Sequence, residues 1–329
     1  MIHGARLSLP PRPCRKNGEW RHVGFEIEFS GLPIDRAARI CAEALGALCA
    51  KRTEVDFRLD APSLGEFRLE VDWAYLKQQA EASSIGEGSA QWVELLKTLS
   101  RDIVPLELVC PPIFVDRIGM LLPAVEALRA SGARGTGDSL ISALGVHVNA
   151  ELPSTDGGTI ERHIRAFGLL QWWLADVQQI DLSRRISPYV DLYPERYVRL
   201  LASRRGADTL ARLIDDYLED NPTRNRALDM LPLFMSVDPG RVRAVLEDER
   251  IKPRPTFHYR LPDCRIEEPG WSLAAAWDSW LVVERLADDV GLLDRLSVDF
   301  VAAERPLFGV SRSSWDAHLD EWLRDHGLA

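Results

Sequence analysis

The sequence has no long apolar segment. No run of 18 or more apolar residues occurs, and the first six residues, Met1-Ile2-His3-Gly4-Ala5-Arg6, lack the apolar core of a signal peptide. A helix that spans a bilayer needs about 20 apolar residues. The sequence therefore predicts no membrane partner, and a cytoplasmic location is the default expectation.

Cysteine motifs are also missing. The five cysteines are odd in number and widely scattered, and none has the CxxC spacing. A disulfide framework or a zinc ribbon would need paired or closely spaced cysteines. We therefore expect most of them to be small buried apolar residues.

Positive charge is scarce as well. The chain has 40 Lys and Arg residues against 50 Asp and Glu residues, which gives a net charge of -10. Proteins that bind nucleic-acid phosphates do so through basic stripes that release counterions, and no such stripe occurs here. No nucleic-acid partner is expected, whereas a nucleotide held through metal ions is compatible with this charge.

Apolar residues, by contrast, are abundant. With 329 residues, 46% of them hydrophobic, the chain can form one large domain or two ordinary ones. The pattern favours one α+β domain over residues 1–329 with a mainly antiparallel sheet. Residues 1–20 are expected to be an extended lead-in, and residues 159–250 and 271–329 to be mainly helical.

Local periodicity predicts the individual elements. Asp35 is expected to cap a helix with apolar positions from Ala37 to Leu48, and another helix is expected from about Val115 to Ala130. Further helices are expected around Trp92 and over 271–289 and 315–324. The glycine-containing loop 132–138 lacks the lysine and the following helix of a phosphate-binding loop, so a plain connection is predicted. Alternation and flanking turn residues predict strands at 23–30, 55–59, 67–71, 103–110, 141–149 and 253–262. The strands at 55–59 and 67–71 are expected to form a hairpin with a longer loop that contains Asp60 to Gly65.

The predicted strand at 23–30 has two different faces. Side chains alternate along a strand, so Phe25, Ile27 and Phe29 share one face while Glu26 and Glu28 share the other. Two like charges about 7 Å apart repel each other unless something positive lies between them. Two interpretations follow: an exposed edge strand with solvated carboxylates, or a metal or catalytic site.

The same arrangement recurs on four more predicted strands. If these strands share one sheet, five carboxylates and two imidazoles line one side of it, and their mutual repulsion would raise the pKa values steeply without counter-charge. Bound cations would relieve this repulsion. Oxygen-rich sites of this kind prefer Mg²⁺ or Mn²⁺, and a nearby arginine suits phosphoryl transfer. The polar residues in question are Glu70 and Asp72, Glu107, His147 and Asn149, and His258 and Arg260.

Each residue also has a structural interpretation. His147 alone is more often a hydrogen-bonded core histidine than a metal ligand. Glu70 and Asp72 could be a solvated strand end, and Arg260 and Arg265 could be partners in structural ion pairs. Glu107 is harder to explain in this way, because an unpaired carboxylate in an apolar strand is costly.

The order of these motifs resembles the amidoligase family, the carboxylate-amine ligases related to glutamine synthetase and glutamate-cysteine ligase. The resemblance spans about residues 20 to 265. The matching motifs are Arg21-His22-Val23-Gly24-Phe25-Glu26-Ile27-Glu28-Phe29, Glu70-Val71-Asp72-Trp73, Leu106-Glu107-Leu108-Val109-Cys110-Pro111-Pro112, Gly145-Val146-His147-Val148-Asn149 and Thr256-Phe257-His258-Tyr259-Arg260-Leu261.

The resemblance implies a fold similar to glutamine synthetase, in which a curved antiparallel sheet forms a funnel with helices on its outer face. It implies that two or more Mg²⁺ or Mn²⁺ ions hold ATP in that funnel. Arg260 and Glu107 would be catalytic, and Arg260, Arg265 and Asn225 would contact the nucleotide. The implied metal ligands are Glu26, Glu28, Glu70, Asp72, Glu107, His147 and His258.

The activity implied by the resemblance is ATP-dependent joining of a carboxylate and an amine, from small molecules or peptides, through an acyl phosphate. One residue departs from the family pattern, since His258 occupies the place where these ligases usually carry a glutamate. The alternatives are a metal-dependent hydrolase that uses the same carboxylates without ATP, and an inactive ligand-binding descendant. The sequence carries no signal of the oligomeric state or of which acid and amine are joined.

Overall fold

The computed structural model describes residues 7–72, 105–136, 144–178, 180, 190–204, 209–305 and 307–328. These residues form mixed α and β structure, with eleven strands and ten α-helices in the described part of the chain. The prediction of one domain stays a prediction. The chain groups into two compact units: unit 1 comprises Met1–Leu7, Gly24–His147 and Asp263–Leu273, and unit 2 comprises Ser8–Val23, Val148–Pro262 and Ala274–Ala329.

Unit 1 contains a large antiparallel sheet. Its strands are β1 (His22–Phe29, in unit 1 from Gly24), β2 (Leu48–Thr53), β3 (Asp56–Ala61), β4 (Gly65–Val71), β5 (Leu106–Val109) and β6 (Ile113–Phe114). The strands pair in the order β2-β3-β4-β5-β1, each antiparallel to its neighbour, and β6 also pairs with β1. The predicted alternation in β1 is confirmed, because Phe25, Ile27 and Phe29 are buried while Glu26 and Glu28 are half-buried.

The helices of unit 1 cover the apolar side of this sheet. They are α1 (Ile34–Leu45), a 3-10 helix (Val115–Leu121) and α2 (Leu122–Ala130). Helix α1 packs against β3, β4 and α2. The predicted helix at 115–130 is thus present, but its first part is a 3-10 turn.

Two predicted boundaries of α1 are wrong. Pro33 is the N-cap residue and Asp35 lies in the first turn without capping it, because the carbonyl of Pro33 already accepts from the N–H groups of Arg36 and Ala37. At the other end Gly46, with φ 62°, stops the helix. Leu48, predicted to be helical, therefore begins β2.

The predicted hairpin is present, with longer arms than expected. Ala61 pairs with Gly65, so that only three residues form the turn. Asp60 and Gly65, predicted to lie in the loop, are strand residues.

Unit 2 contains further paired strands and most of the helices. Strand β7 (Val146–Glu151) starts with two residues of unit 1 and continues in unit 2, where it pairs antiparallel with β9 (Thr256–Tyr259), as does β8 (Leu228–Asp229). A hairpin joins β10 (Glu304–Arg305) to β11 (Gly309–Val310). The helices are α3 (Gly157–Val177), α4 (Glu195–Ser203), α5 (Leu210–Asp220), α6 (Leu231–Val237), α7 (Pro239–Val245), α8 (Leu273–Asp288), α9 (Val290–Ala302) and α10 (Arg312–Asp325).

Aromatic side chains form much of the core of unit 2. Phe167 of α3 contacts the rings of Tyr193 and Tyr259 edge-on, and Trp280 of α8 packs on Tyr259. The predicted helices at 271–289 and 315–324 are confirmed as α8 and α10, and the strand predicted at 253–262 contains β9.

Some predictions are not tested by this structure. The helix around Trp92 and the beginnings of the strands predicted at 103 and 141 lie outside the described residues. The glutamine-synthetase-like funnel stays a prediction. Among the described helices, none combines the length and the apolar character needed to cross a bilayer.

Candidate metal site

Four carboxylates form one row across the sheet of unit 1. Glu28 of β1 lies opposite Glu107 of β5, Glu107 lies opposite Glu70 of β4, and Glu70 lies opposite Asp56 of β3. Directly opposed side chains in an antiparallel sheet have Cβ atoms about 4.5–5.5 Å apart, and like charges in these positions are destabilising. The row therefore needs positive charge.

His147 provides one nearby polar partner. Its Nδ1 atom lies 2.8 Å from Glu26 Oε2, and its Nε2 atom lies 3.5 Å from Glu28 Oε1. The imidazole is only 8% exposed. The main-chain N–H of Gly145 donates to Glu28 Oε2 at 2.6 Å, so that the second oxygen of this carboxylate is held in place.

Glu107 lies at the centre of the repulsion. Burial, followed by the negative charges of its carboxylate neighbours, raises its pKa well above the ordinary value for a glutamate. A cation between the carboxylates would offset both effects, since it favours the charged form of the acid. The neighbours that raise the pKa are Glu26, Glu28, Asp72 and Glu70.

Three of these side chains can hold one ion. Glu28, Glu107 and His147 each offer one ligand atom, and the three atoms lie within 4.8 Å of one another. Two ligands bound to the same ion at about 2.0–2.4 Å lie about 3–4.5 Å apart, so small side-chain adjustments suffice. Two carboxylates and one imidazole fit Mn²⁺, or Mg²⁺ with water completing the shell.

The other predicted metal ligands are distributed over both units. Glu70 and Asp72 act on Glu107 as neighbouring charges in unit 1. His258 belongs to unit 2, where it is buried in register with Asn149 and Asp229, and its Nδ1 atom lies 3.5 Å from Asp229 Oδ2. Its role as a metal ligand stays a prediction.

The predicted nucleotide contacts have local partners. In unit 2, Arg260 Nη1 donates to the carbonyl of Arg224 at 2.6 Å, and the carbonyl of Asn225 accepts from the N–H of Asp191 at 2.7 Å. In unit 1, Arg265 forms an ion pair with Glu268 at 2.7 Å, the structural role considered as its alternative. Contact of these residues with ATP stays a prediction.

The pKa of Arg224, a neighbour of Arg260, is shifted by burial and by nearby charges. Burial lowers the pKa of Arg224, and the guanidinium groups of Arg260 and Arg250 act in the same direction. Asp229 and Asp248 oppose this shift. Charges of both signs therefore act on Arg224, whose carbonyl accepts from Arg260.

A comparison with known protein families identifies the family to which the chain belongs. Residues 19–282 match a family model described as "Putative amidoligase enzyme". The chain belongs to the amidoligase family. The matched span includes every predicted site residue of both units in this amidoligase. Searches of curated proteins and of solved structures gave no significant match.

Sequence reasoning missed three members of the polar face. Asp56 extends the carboxylate row of the amidoligase, and Arg58 and Arg68 lie opposite each other in the adjacent row. The signal was present, since Phe57 and Leu59 alternate with charged residues as Leu69 does on the other arm. Alternation alone does not determine the cross-strand register that aligns these charges.

Proposed function

We propose that this protein is an ATP-dependent carboxylate-amine ligase that uses Mg²⁺ or Mn²⁺. The observation that carries the proposal is the approach of ligand atoms from Glu28, Glu107 and His147 to within 4.8 Å on the polar face of the sheet. Membership of the amidoligase family supports the reaction type.

The carboxylates and the imidazole would hold the divalent ions. When bound, those ions supply the charge neutralisation that a γ-phosphate needs during transfer. Gly145 fixes the orientation of Glu28, and His147 bridges Glu26 and Glu28, so the ligands are positioned before the metal binds.

ATP is needed because a carboxylate is otherwise a poor acyl donor. An oxygen of the substrate carboxylate attacks the γ-phosphorus, the bond to the β-phosphate oxygen breaks, and ADP leaves. The amine nitrogen then attacks the acyl carbon, and inorganic phosphate departs as the amide forms. The amine must arrive as a free base, so a carboxylate such as Glu70 or Asp72 would bind its ammonium form and accept the proton.

Calorimetry with nucleotide and metal tests this proposal. Wild-type protein is expected to bind ATP only when Mg²⁺ or Mn²⁺ is present. The folded double variant Glu26→Gln/Glu28→Gln should bind metal and nucleotide at least about tenfold more weakly. Glu54→Gln, which changes an exposed glutamate of unit 1, is the matched control and should behave as wild type.

Two results would contradict the proposal. One is the absence of ATP binding with either metal, and the other is unchanged metal-dependent binding in the double variant. Repeated turnover of ATP to ADP, tested with a panel of carboxylates and amines, should also require both an acid and an amine. Hydrolysis of an amide or phosphate ester without ATP would instead favour the hydrolase.

An inactive ligand-binding descendant is a second candidate. The observation that favours it is His258, which replaces a glutamate of the family pattern and lies beside Asp229 in unit 2. ATP binding without ADP release across a broad panel of carboxylates and amines would support this candidate. Restored ADP release in a His258→Glu variant would locate the loss of activity at this position.

A further inference from the structure

Two arginines face each other on the polar side of the unit 1 sheet. Arg58 of β3 lies directly opposite Arg68 of β4. Like charges in directly opposed positions destabilise a sheet. The pair therefore needs negative charge close to both guanidinium groups.

The nearby carboxylates lie farther from these arginines than in a close ion pair. Arg58 lies 3.5 Å from Asp56 and 3.4 Å from Glu66, and Arg68 lies 3.5 Å from Glu70. Charge-assisted hydrogen bonds between arginine and carboxylate are normally about 2.7–2.9 Å long. Elsewhere in this chain, Arg21 and Glu284 pair at 2.6 and 2.7 Å.

Donor capacity remains on both arginines. A guanidinium has five N–H donors, and in the described part of the chain Arg68 has one ion-pair partner, at 3.5 Å. The side chains of Arg58 and Arg68 are 26% and 40% exposed, so a ligand from solvent can reach them.

The arginine pair lies beside the carboxylate row. Arg68 is opposite Val109, and Val109 is opposite Glu26, so these residues form the row next to that of Glu70 and Glu107. Diagonal neighbours in such a sheet are about 7–8 Å apart, which is within reach of long side chains. A ligand bound by the arginines could thus also contact an ion held by the carboxylates.

We propose that Arg58 and Arg68 form an oxyanion subsite for the terminal phosphate of ATP or the carboxylate of the acid substrate. The inference rests on the proposed function, because the same ligand would span the arginines and the metal ions. The two guanidinium groups would share the oxygens of one anion, which relieves their mutual repulsion as a cation relieves that of the carboxylates.

Binding of inorganic phosphate to Mn²⁺-loaded protein tests the inference directly. Wild type, Arg68→Gln, Arg68→Lys and the double variant Arg58→Gln/Arg68→Gln would be titrated by calorimetry, with Mn²⁺ affinity measured separately. Phosphate affinity should fall at least about tenfold in Arg68→Gln and further in the double variant. Arg68→Lys should recover part of it, because lysine keeps the charge but not the bidentate geometry.

The Mn²⁺ affinity separates a ligand-binding role from a structural one. It should stay equal or become tighter in the double variant, since two positive charges near the carboxylates have been removed. Arg39→Gln, at an exposed position of α1, is the matched control and should leave both affinities unchanged. Parallel loss of Mn²⁺ and phosphate binding would overturn the inference, because the arginines would then only hold the carboxylates in place.

Two further titrations identify the source of the anion. A reduced preference for ATP over ADP in the double variant would assign the subsite to the terminal phosphate. An unchanged preference with weaker binding of glutarate, used as a carboxylate probe, would assign it to the acid substrate.

The inference and the proposed function can fail separately. Wild-type protein that binds phosphate with Mn²⁺, together with a double variant that binds it equally well, would overturn the oxyanion subsite alone. Wild-type protein that binds no divalent ion would contradict the proposed function. Wild-type protein that binds the ion but neither phosphate nor glutarate would contradict the subsite.

Discussion

Glu107 is a carboxylate in an otherwise apolar strand. Leu106 and Leu108 on either side are 2% and 1% exposed and face the core, whereas Glu107 faces the polar side of the sheet. Its raised pKa has burial as the largest cause and the surrounding carboxylates as the next. The residue thus costs stability in the metal-free protein, as expected of a group that serves a ligand.

We predict opposite effects of Glu107→Gln on stability and metal binding. The amide has the same shape without the charge, so the melting temperature of the metal-free protein should stay equal or rise. Mn²⁺ affinity should fall at least about tenfold, because one anionic ligand is lost. Differential scanning calorimetry and Mn²⁺ titration measure the two quantities, with Glu54→Gln as the control.

A clear drop in the melting temperature of metal-free Glu107→Gln would count against this explanation. It would mean that the ionised carboxylate has a structural partner that stabilises the fold. The row of carboxylates would then be a structural network.

How much of the site the sequence could predict depends on the residue. Alternation with apolar residues identifies Glu26 and Glu28 in the sequence. Glu107 is identifiable because it is the one charged residue in an otherwise apolar strand. Arg58 and Arg68 belong to strands that were predicted, yet their opposition depends on the cross-strand register, which alternation along one strand does not reveal. A shift of one residue in register changes which charges face each other.

At the scale of elements, an ion pair joins the segment before β1 to α8 within unit 2. Arg21 and Glu284 are 0% and 3% exposed, and two hydrogen bonds connect them. Arg21 also donates to two main-chain carbonyls, and Trp280 Nε1 donates to Glu284 at 2.7 Å. The pair is therefore buried with most of its hydrogen-bonding capacity used.

Breaking this pair should destabilise the protein strongly. Arg21→Met leaves the Glu284 carboxylate buried without its counter-charge, which typically costs about 3–5 kcal/mol. Chemical denaturation would measure the loss in the free energy of unfolding. The double variant Arg21→Met/Glu284→Leu should lose clearly less of this free energy. An equal or greater loss would show that the ion pair stabilises the fold by more than mutual charge neutralisation.

The same pair gives the protein a pH dependence at acid pH. Burial alone would raise the pKa of Glu284, but Arg21 and the hydrogen bonds hold it below its ordinary value of 4.5. A lowered folded-state pKa adds stability above the unfolded-state value, and this stability is lost as the pH falls through the folded-state value. The difference in melting temperature between wild type and Glu284→Gln should be constant above pH 4.5 and shrink below it.

A difference that grows as the pH falls would contradict this assignment. Arg21→Met provides a comparison, because burial without the counter-charge would raise the pKa of Glu284. The stability of that variant relative to wild type should therefore fall as the pH rises above 4.5.

Gly135, in the segment that follows α2 in unit 1, lies too close to Cys264 for a side chain to fit. A Cβ atom at this position would lie 1.9 Å from the carbonyl oxygen of Cys264, which accepts from the N–H of Thr136. Gly135→Ala should therefore lower the free energy of unfolding by at least about 2 kcal/mol. Gly270→Ala, where a Cβ atom meets nothing within 4 Å, is the control and should change stability little. Equal effects of the two substitutions would show that the segment moves freely.

Element boundaries were the part of the fold that the sequence predicted least well. Asp35 is a good capping residue, yet the helical hydrogen bonds already begin at the main-chain carbonyl of Pro33. Leu48 continues the apolar helical period, yet Gly46 ends the helix first. In both places a local backbone constraint outweighs a side-chain pattern.

At the scale of the whole molecule, the α and β composition and the antiparallel pairing could be predicted from the sequence. Glu28, Glu70 and Glu107 are far apart in the chain, and only the pairing of β1 with β5 and of β5 with β4 brings them into one row. Periodicity identifies the polar face of each strand but not the strand order or the register. The resemblance to the amidoligase family compensated for this, because it implied which polar faces belong together.

The central claim is that the carboxylate row and His147 of unit 1 hold divalent metal ions. The most direct test is a crystal structure with Mn²⁺ and a non-hydrolysable ATP analogue, in which anomalous scattering locates the ions. We predict at least one Mn²⁺ peak within about 2.0–2.4 Å of ligand atoms from Glu28, Glu107 and His147. Mn²⁺ peaks only at other positions, or no bound Mn²⁺ at saturating concentration, would contradict the claim.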